Sequence, residues 1–212
     1  MKFLKKFYWT YFKRRNFSQA GEEDFLINYF PDDKGFYLDI GCHDPFRYSN
    51  TQSLYKKGWN GINIDSNPDV ISKFNKYRKR DTNICALISN ATKPLEYSFY
   101  NDHALNGVHD DKRKDLLKKK GYRILKTETI NTITLNRVLE ENKCKKIDLI
   151  NIDVEGHELE VLSSINLDYY FVELIMVEEN NNENDLKNLL EKYNYFLLKR
   201  IDRNLIFKKK FL

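Results

Sequence analysis

The chain has 212 residues, of which 41% are hydrophobic, 32% charged and 14% aromatic. That is apolar matter for one full core, and it excludes a disordered tail, a fibrous repeat or a low-complexity scaffold. Residues 1–15 carry Lys2, Lys5, Lys6, Lys13, Arg14 and Arg15 and no acid, so the formal +5 resolves into a +6 arm and a body at −1. A body without net positive charge exerts no pull on nucleic acid, and no such partner is expected.

In the first segment Leu4, Phe7, Tyr8 and Tyr11 fall at helical spacing among the bases. Such a helix either packs its stripe on its own domain or on a second subunit, which would make a homodimer, or lies on an anionic membrane surface. Lys5 and Lys6 interrupt any apolar stretch of the signal-peptide kind. The expected organisation is a basic-aromatic arm over 1–16 and one domain over 17–212.

Gly21 to Phe30 reads as a helix stopped by Pro31, and Gly35–Gly41 (GFYLDIG) as a buried strand ending in a glycine turn. Asn50 to Lys57 is helical in pattern, Gly61–Asp65 (GINID) is a second strand, and Asn67-Pro68 starts a helix running to Tyr77. Thr82 to Ile88 reads as a third strand. Lys93 to Gly121 shows a polar loop holding His103 and His109, then a lysine-rich helix, and is expected to be irregular. Ile147–Asp153 is a strongly apolar strand followed by a helix to Leu162. Phe171–Val177 is another strand, ending at Glu178 and Glu179; Asn184–Lys192 is helical; Tyr195–Lys199 with Leu205–Lys209 forms a closing hairpin. Strands alternating with helices of about ten residues imply a mostly parallel sheet covered on both faces, whose strands should be almost continuously apolar, as YLDIG, LINID and ELIMV are. The cysteines Cys42, Cys85 and Cys144 form no CxxC pair. This argues against a disulfide framework or a structural zinc, and for a reducing, cytoplasmic setting, with the arm able to bring the chain to the inner face of the membrane.

Ligands of open parallel sheets bind beyond the carboxyl ends of the strands. Here Asp39-Ile-Gly41, Asp65, Asp153-Val-Glu155-Gly156 and Glu178-Glu179 all reach that edge. A dinucleotide site needs several glycines for a pyrophosphate, whereas this first turn, Gly41-Cys-His-Asp-Pro, has one glycine, a proline without an amide donor, and Asp44. A carboxylate there repels a phosphate and suits a cationic ligand, such as the sulfonium and ammonium of S-adenosylmethionine against Asp39 and Asp44. Asp65, 24 residues after Gly41, stands near the spacing at which an acid grips a ribose diol.

The stretches FYLDIGCHDPFRYSNT, YKKGWNGINIDSNPD and IDLINIDVEGHELEVL resemble the FkbM-type group of S-adenosylmethionine-dependent methyltransferases, with FSQAGEEDFLINYF and TLNRVLEEN similar to its flanking helices. The resemblance spans roughly residues 17–180. It implies the class I methyltransferase fold: an α/β, Rossmann-like three-layer sandwich around a mostly parallel seven-stranded sheet with an antiparallel last strand. It also implies O-methylation, commonly of sugar or polyketide-type hydroxyls. By position it assigns Asp39 and Gly41 to the methionine end, Asn50 and Thr51 to the lining, Asp65 to ribose, Cys85 and Ala86 to adenine, and Asp153 to Glu158 to the active-site edge; His43, in the first turn, either touches the ligand or simply fills the turn. Pro45 stands where the group often has a second glycine.

The expected enzyme transfers a methyl group to a hydroxyl of a small-molecule or glycan acceptor. A hydroxyl nucleophile benefits from a base, for which His157 is the first candidate, with Asp153 and Glu155 beside it. No metal belongs to the expected site; carboxylates of Asp153, Glu155, Glu178 and Glu179 around Mg²⁺ are the rival arrangement. A non-catalytic module of the same fold, docking through its basic arm, is the alternative of another class.

Overall fold

A computed structural model describes residues 17–32, 34–180 and 182–210. The basic arm lies outside the described residues, and so do the expectations made for it.

Seven strands form the main sheet, in the order β3 (Thr82–Cys85), β2 (Asn60–Asp65), β1 (Phe36–Ile40), β7 (Lys146–Ile152), β8 (Phe171–Glu178), β10 (Asn204–Lys209), β9 (Tyr195–Ile201). The pairs among β3, β2, β1, β7 and β8 are parallel, while β10 runs antiparallel to both its neighbours, β8 and β9. This is the class I methyltransferase arrangement, with the terminal hairpin supplying the reversed strand.

Because side chains alternate across a pleated strand, each central strand feeds two cores. On one face Leu38, Ile40, Ile62, Ile64, Ile150 and Ile152 pack with α5 (Leu135–Glu141), α6 (Glu158–Leu162) and α7 (Glu183–Glu191). On the other, Tyr37, Leu149, Leu174, Met176 and Ile206 pack with Leu26 of α1 (Glu22–Tyr29) and Leu54 of α2 (Gln52–Lys57). The helix α3 (Pro68–Tyr77) starts where expected: Asn67 caps it by accepting from the Asp69 amide at 3.0 Å, and Pro68 fills the first helical position.

Two expectations change. The strand read over Thr82–Ile88 breaks at Ala86. Its amide donates to the Asp65 carbonyl at 3.0 Å, the last backbone acceptor that β2 offers it, and β4 (Leu87–Ile88) turns away to pair with β6 (Ile124–Ile133). The segment expected to be irregular also contains a strand, β5 (Pro94–Tyr100), antiparallel to β6. A 3-10 turn (His103–Leu105) and α4 (Asp111–Lys119) follow it. Leu87, Tyr97 and Phe99 form a small core beneath this second sheet. Among the described residues no helix is long and apolar enough to cross a membrane.

Candidate functional site

The strand order reverses between β1 and β7, so the turns leaving them diverge and open a crevice at their carboxyl ends. Gly41 begins the first turn at φ +77°, and a Cβ there would lie 1.8 Å from the Asp153 carbonyl oxygen. The glycine of the DIG motif is therefore demanded by the close approach of two backbones. Hydrogen bonds from the Gly41 amide to the Ile64 carbonyl (2.9 Å) and from the Asp153 amide to the Ile40 carbonyl (3.0 Å) lace the ends of β1, β2 and β7 together.

A small cleft occupies this crevice. Gly41, Asp65, Ser66, Ala86, Asp153 and His157 line it from the main sheet, and Tyr97, Asn106, Gly107 and Val108 wall it from the β5 side. The latter wall escaped sequence reasoning. Its one signal was the period-two alternation of Leu95, Tyr97 and Phe99 in PLEYSFY.

Asp65 is held in place by its own turn. One carboxylate oxygen accepts from the Asn67 amide at 2.8 Å and the other from the His43 amide at 3.1 Å. Each oxygen keeps a lone pair for a ligand. Burial raises its pKa to about 6, against which the two amides work.

The other predicted cofactor residues divide. Gly41, Asp65, Ala86 and Asp153 line the cleft; Asp39, His43, Asn50, Thr51 and Cys85 do not. Asp39 faces inward, accepting from Thr51 Oγ1 at 2.6 Å and Asn151 Nδ2 at 2.8 Å, and burial raises its pKa. Asn50 donates to Asn151 Oδ1 at 3.1 Å and borders a small polar pocket with Asp153 and Glu178. His43 contributes its amide, while its ring stacks on Tyr48. Cys85 is exposed, its thiol near the Ser66 carbonyl at 3.7 Å. Asp44 ties the turn, accepting from the Phe46 and Arg47 amides at 3.0 Å each and pairing with Lys73 at 3.3 Å.

Beneath the turn lies a network that sequence reading missed. Arg78, 1% exposed, donates to the Tyr37 hydroxyl (2.8 Å), Ser49 Oγ (2.9 Å) and the Pro45 carbonyl (3.2 Å), with Asp81 at 3.8 Å. Tyr37 in turn donates to Asp81 at 2.5 Å. A buried charge so partnered fixes the turn from below.

The β7 and β8 ends bring acids together. One oxygen from each of Asp153, Glu155 and Glu178 lies within 4.8 Å of the others. Glu155, in a left-handed conformation (φ 58°), pairs with Arg113 at 2.6 Å, and Glu178 with Arg203 at 3.1 Å. Burial, then the charge of Glu178, pushes Asp153 far above the ordinary carboxylate range and Glu155 to about 7. Glu179 does not join them: it accepts from the Asn182 amide and pairs with Arg200.

His157 caps α6 and borders both the cleft and an open groove flanked by His109, Arg113, Glu155, Glu160 and Asn180. Its Nε2 meets Ser89 Oγ at 3.0 Å and its Nδ1 lies 3.6 Å from Glu160. Burial lowers its pKa, so the ring is neutral at pH 7. The Glu160 carboxylate favours the proton on Nδ1, which leaves the Nε2 lone pair towards Ser89.

The methyltransferase FkbM domain family matches residues 39–201. The chain belongs to this family. Among solved structures it is similar to a TehB-like SAM-dependent methyltransferase from Corynebacterium glutamicum, at 12% identity over 99% of this chain and 97% of that one, with a TM-score of 0.46. A S-adenosylmethionine-dependent methyltransferase from Clostridium acetobutylicum is 10% identical over 99% of each chain, also at 0.46. A putative rRNA-methylase from Clostridium thermocellum is 10% identical over 89% of this chain and 94% of that one, at 0.44. No curated protein matches.

Proposed function

We propose that this FkbM-family chain transfers the methyl group of S-adenosylmethionine to a hydroxyl of a sugar or surface-glycan precursor. The observation that carries the reading is the cleft at the strand-order reversal, with Asp65 fixed by two amides on one side and a cluster of three acids on the other. Asp65 would accept from the two ribose hydroxyls. Ala86 and Leu87, beyond the β3 end, suit the adenine face, and Asp153 stands on the side of the positively charged methionine end.

When bound, the donor supplies a methyl carbon already activated by a sulfonium leaving group. The chain must hold the acceptor oxygen in line behind that carbon, a positioning effect that can supply about 7–11 kcal/mol. A bond forms from oxygen to the methyl carbon as the carbon–sulfur bond breaks, and the hydroxyl proton passes to His157, which borders both the cleft and the groove. A positioned base of this kind is worth about 10²–10⁴-fold. The groove beside His157 alternates donors and acceptors (Arg113, Asn180, Glu155, Glu160), which suits a hydroxyl-rich acceptor.

Calorimetric titration with S-adenosylhomocysteine tests the donor, and mass spectrometry of host glycans with and without the chain tests the acceptor through one missing 14-dalton increment. Absence of binding, or binding indifferent to Asp65→Ala, overturns the reading.

A further inference from the structure

We propose that Asp153, Glu155 and Glu178 form a binding site for one hard divalent cation of the Mg²⁺ or Mn²⁺ type. Oxygens around a six-coordinate ion of this size stand roughly 3–4.2 Å apart. Three carboxylate oxygens already within 4.8 Å of one another therefore need only a small contraction to share one. The atoms come from the ends of two adjacent strands, so their positions are set by the main sheet rather than by a free loop.

A fourth acid supplies the independent observation. Glu158 is fully buried, and its Oε2 has no hydrogen-bond partner. Its Oε1 shares the Asn180 amide with Glu178 Oε2, at 3.0 and 2.9 Å, which locks it against the cluster. Its charge bears on Asp153, Glu155 and Glu178 alike. Four carboxylates face two guanidinium groups here, Arg113 on Glu155 Oε2 and Arg203 on Glu178 Oε1. The formal balance is −2, which one divalent cation neutralises, and an orphaned buried carboxylate oxygen is otherwise costly.

Asp153 borders the cleft and Glu155 the groove, so the cation stands where the two meet. Its role there rests on the proposed methyl transfer: it would take oxygens of a hydroxyl acceptor in its open positions and orient them. Its binding does not depend on that reading.

The test is titration of Mn²⁺ into the donor-free chain, read by calorimetry and by the Mn²⁺ paramagnetic resonance signal, with S-adenosylhomocysteine titrated into the same preparation. One bound Mn²⁺ per chain is expected, weakened at least a hundredfold in Glu178→Gln and in the groove-facing Glu155→Gln, and unchanged in Glu179→Gln. Absence of stoichiometric Mn²⁺, or equal binding in all three variants, overturns the proposal. So does a wild-type chain that ignores Mn²⁺ while Glu178→Gln loses affinity for the homocysteine, since the cluster would then hold the donor's ammonium. Mn²⁺ binding without homocysteine binding would instead remove the donor reading and leave the cation site standing.

Discussion

Asp65→Ala should cost the chain its methyl donor without costing it its fold. A carboxylate accepting from two ribose hydroxyls makes two charge-assisted hydrogen bonds, each worth about 1.5–3 kcal/mol. Water entering the vacated space recovers part of that sum, so a loss of about 3 kcal/mol is expected, a hundredfold or more in affinity. Asp65→Asn keeps one acceptor and should lose roughly tenfold. The wild-type pH profile gives an independent arm. With the free carboxyl at about 6, only about a tenth is ionised at pH 5 and about nine-tenths at pH 7, so apparent affinity should fall close to tenfold between them. Stability of the donor-free chain should move oppositely. The folded state holds this proton more tightly than the ordinary value of 3.8 allows. The resulting stabilisation is complete below about pH 4 and lost as pH rises through 6, up to about 3 kcal/mol, and Asp65→Asn should flatten that slope in urea unfolding. Calorimetry with S-adenosylhomocysteine from pH 5 to 8 is the assay. An affinity level across that range, or an alanine variant within threefold of wild type, would refute the reasoning.

Gly41→Ala should destabilise the domain by about 3–5 kcal/mol, combining the left-handed backbone with a Cβ driven into the Asp153 carbonyl; urea unfolding at wild-type midpoint would contradict this. Arg78→Met should cost about 3–5 kcal/mol, because Asp81 is left buried without its cation, and the same unfolding experiment measures it. His157→Ala should lower kcat by about 10²–10⁴-fold while homocysteine affinity stays within a few fold. A variant that loses donor binding and turnover together would place His157 in the cleft wall only.

The strands and their order of chemistry could be read from the chain itself. GFYLDIG, GINID and LINID are apolar enough to be buried on both faces, and each ends in an acid or a glycine, so the parallel sheet and its reactive edge followed from local pattern. The hairpin of β5 and β6 could not be read in the same way. Most of β6, ILKTETINTI, lies exposed and carries little hydrophobic signal, so its strand state depends on pairing with a distant partner. The inward turn of Asp39 and Thr51 and the hidden Arg78 network were likewise invisible, because an acid at a strand end looks the same whether it meets a ligand or an asparagine on the next strand. Local sequence determined which residues arrive at the sheet edge, since periodicity and turn chemistry act within a few residues. Only the tertiary structure decided that Asp153, Glu155 and Glu178 meet while Glu179 turns to Arg200, since that choice depends on the register of β7 against β8 and on arginines supplied from α4, β9 and the β9–β10 turn.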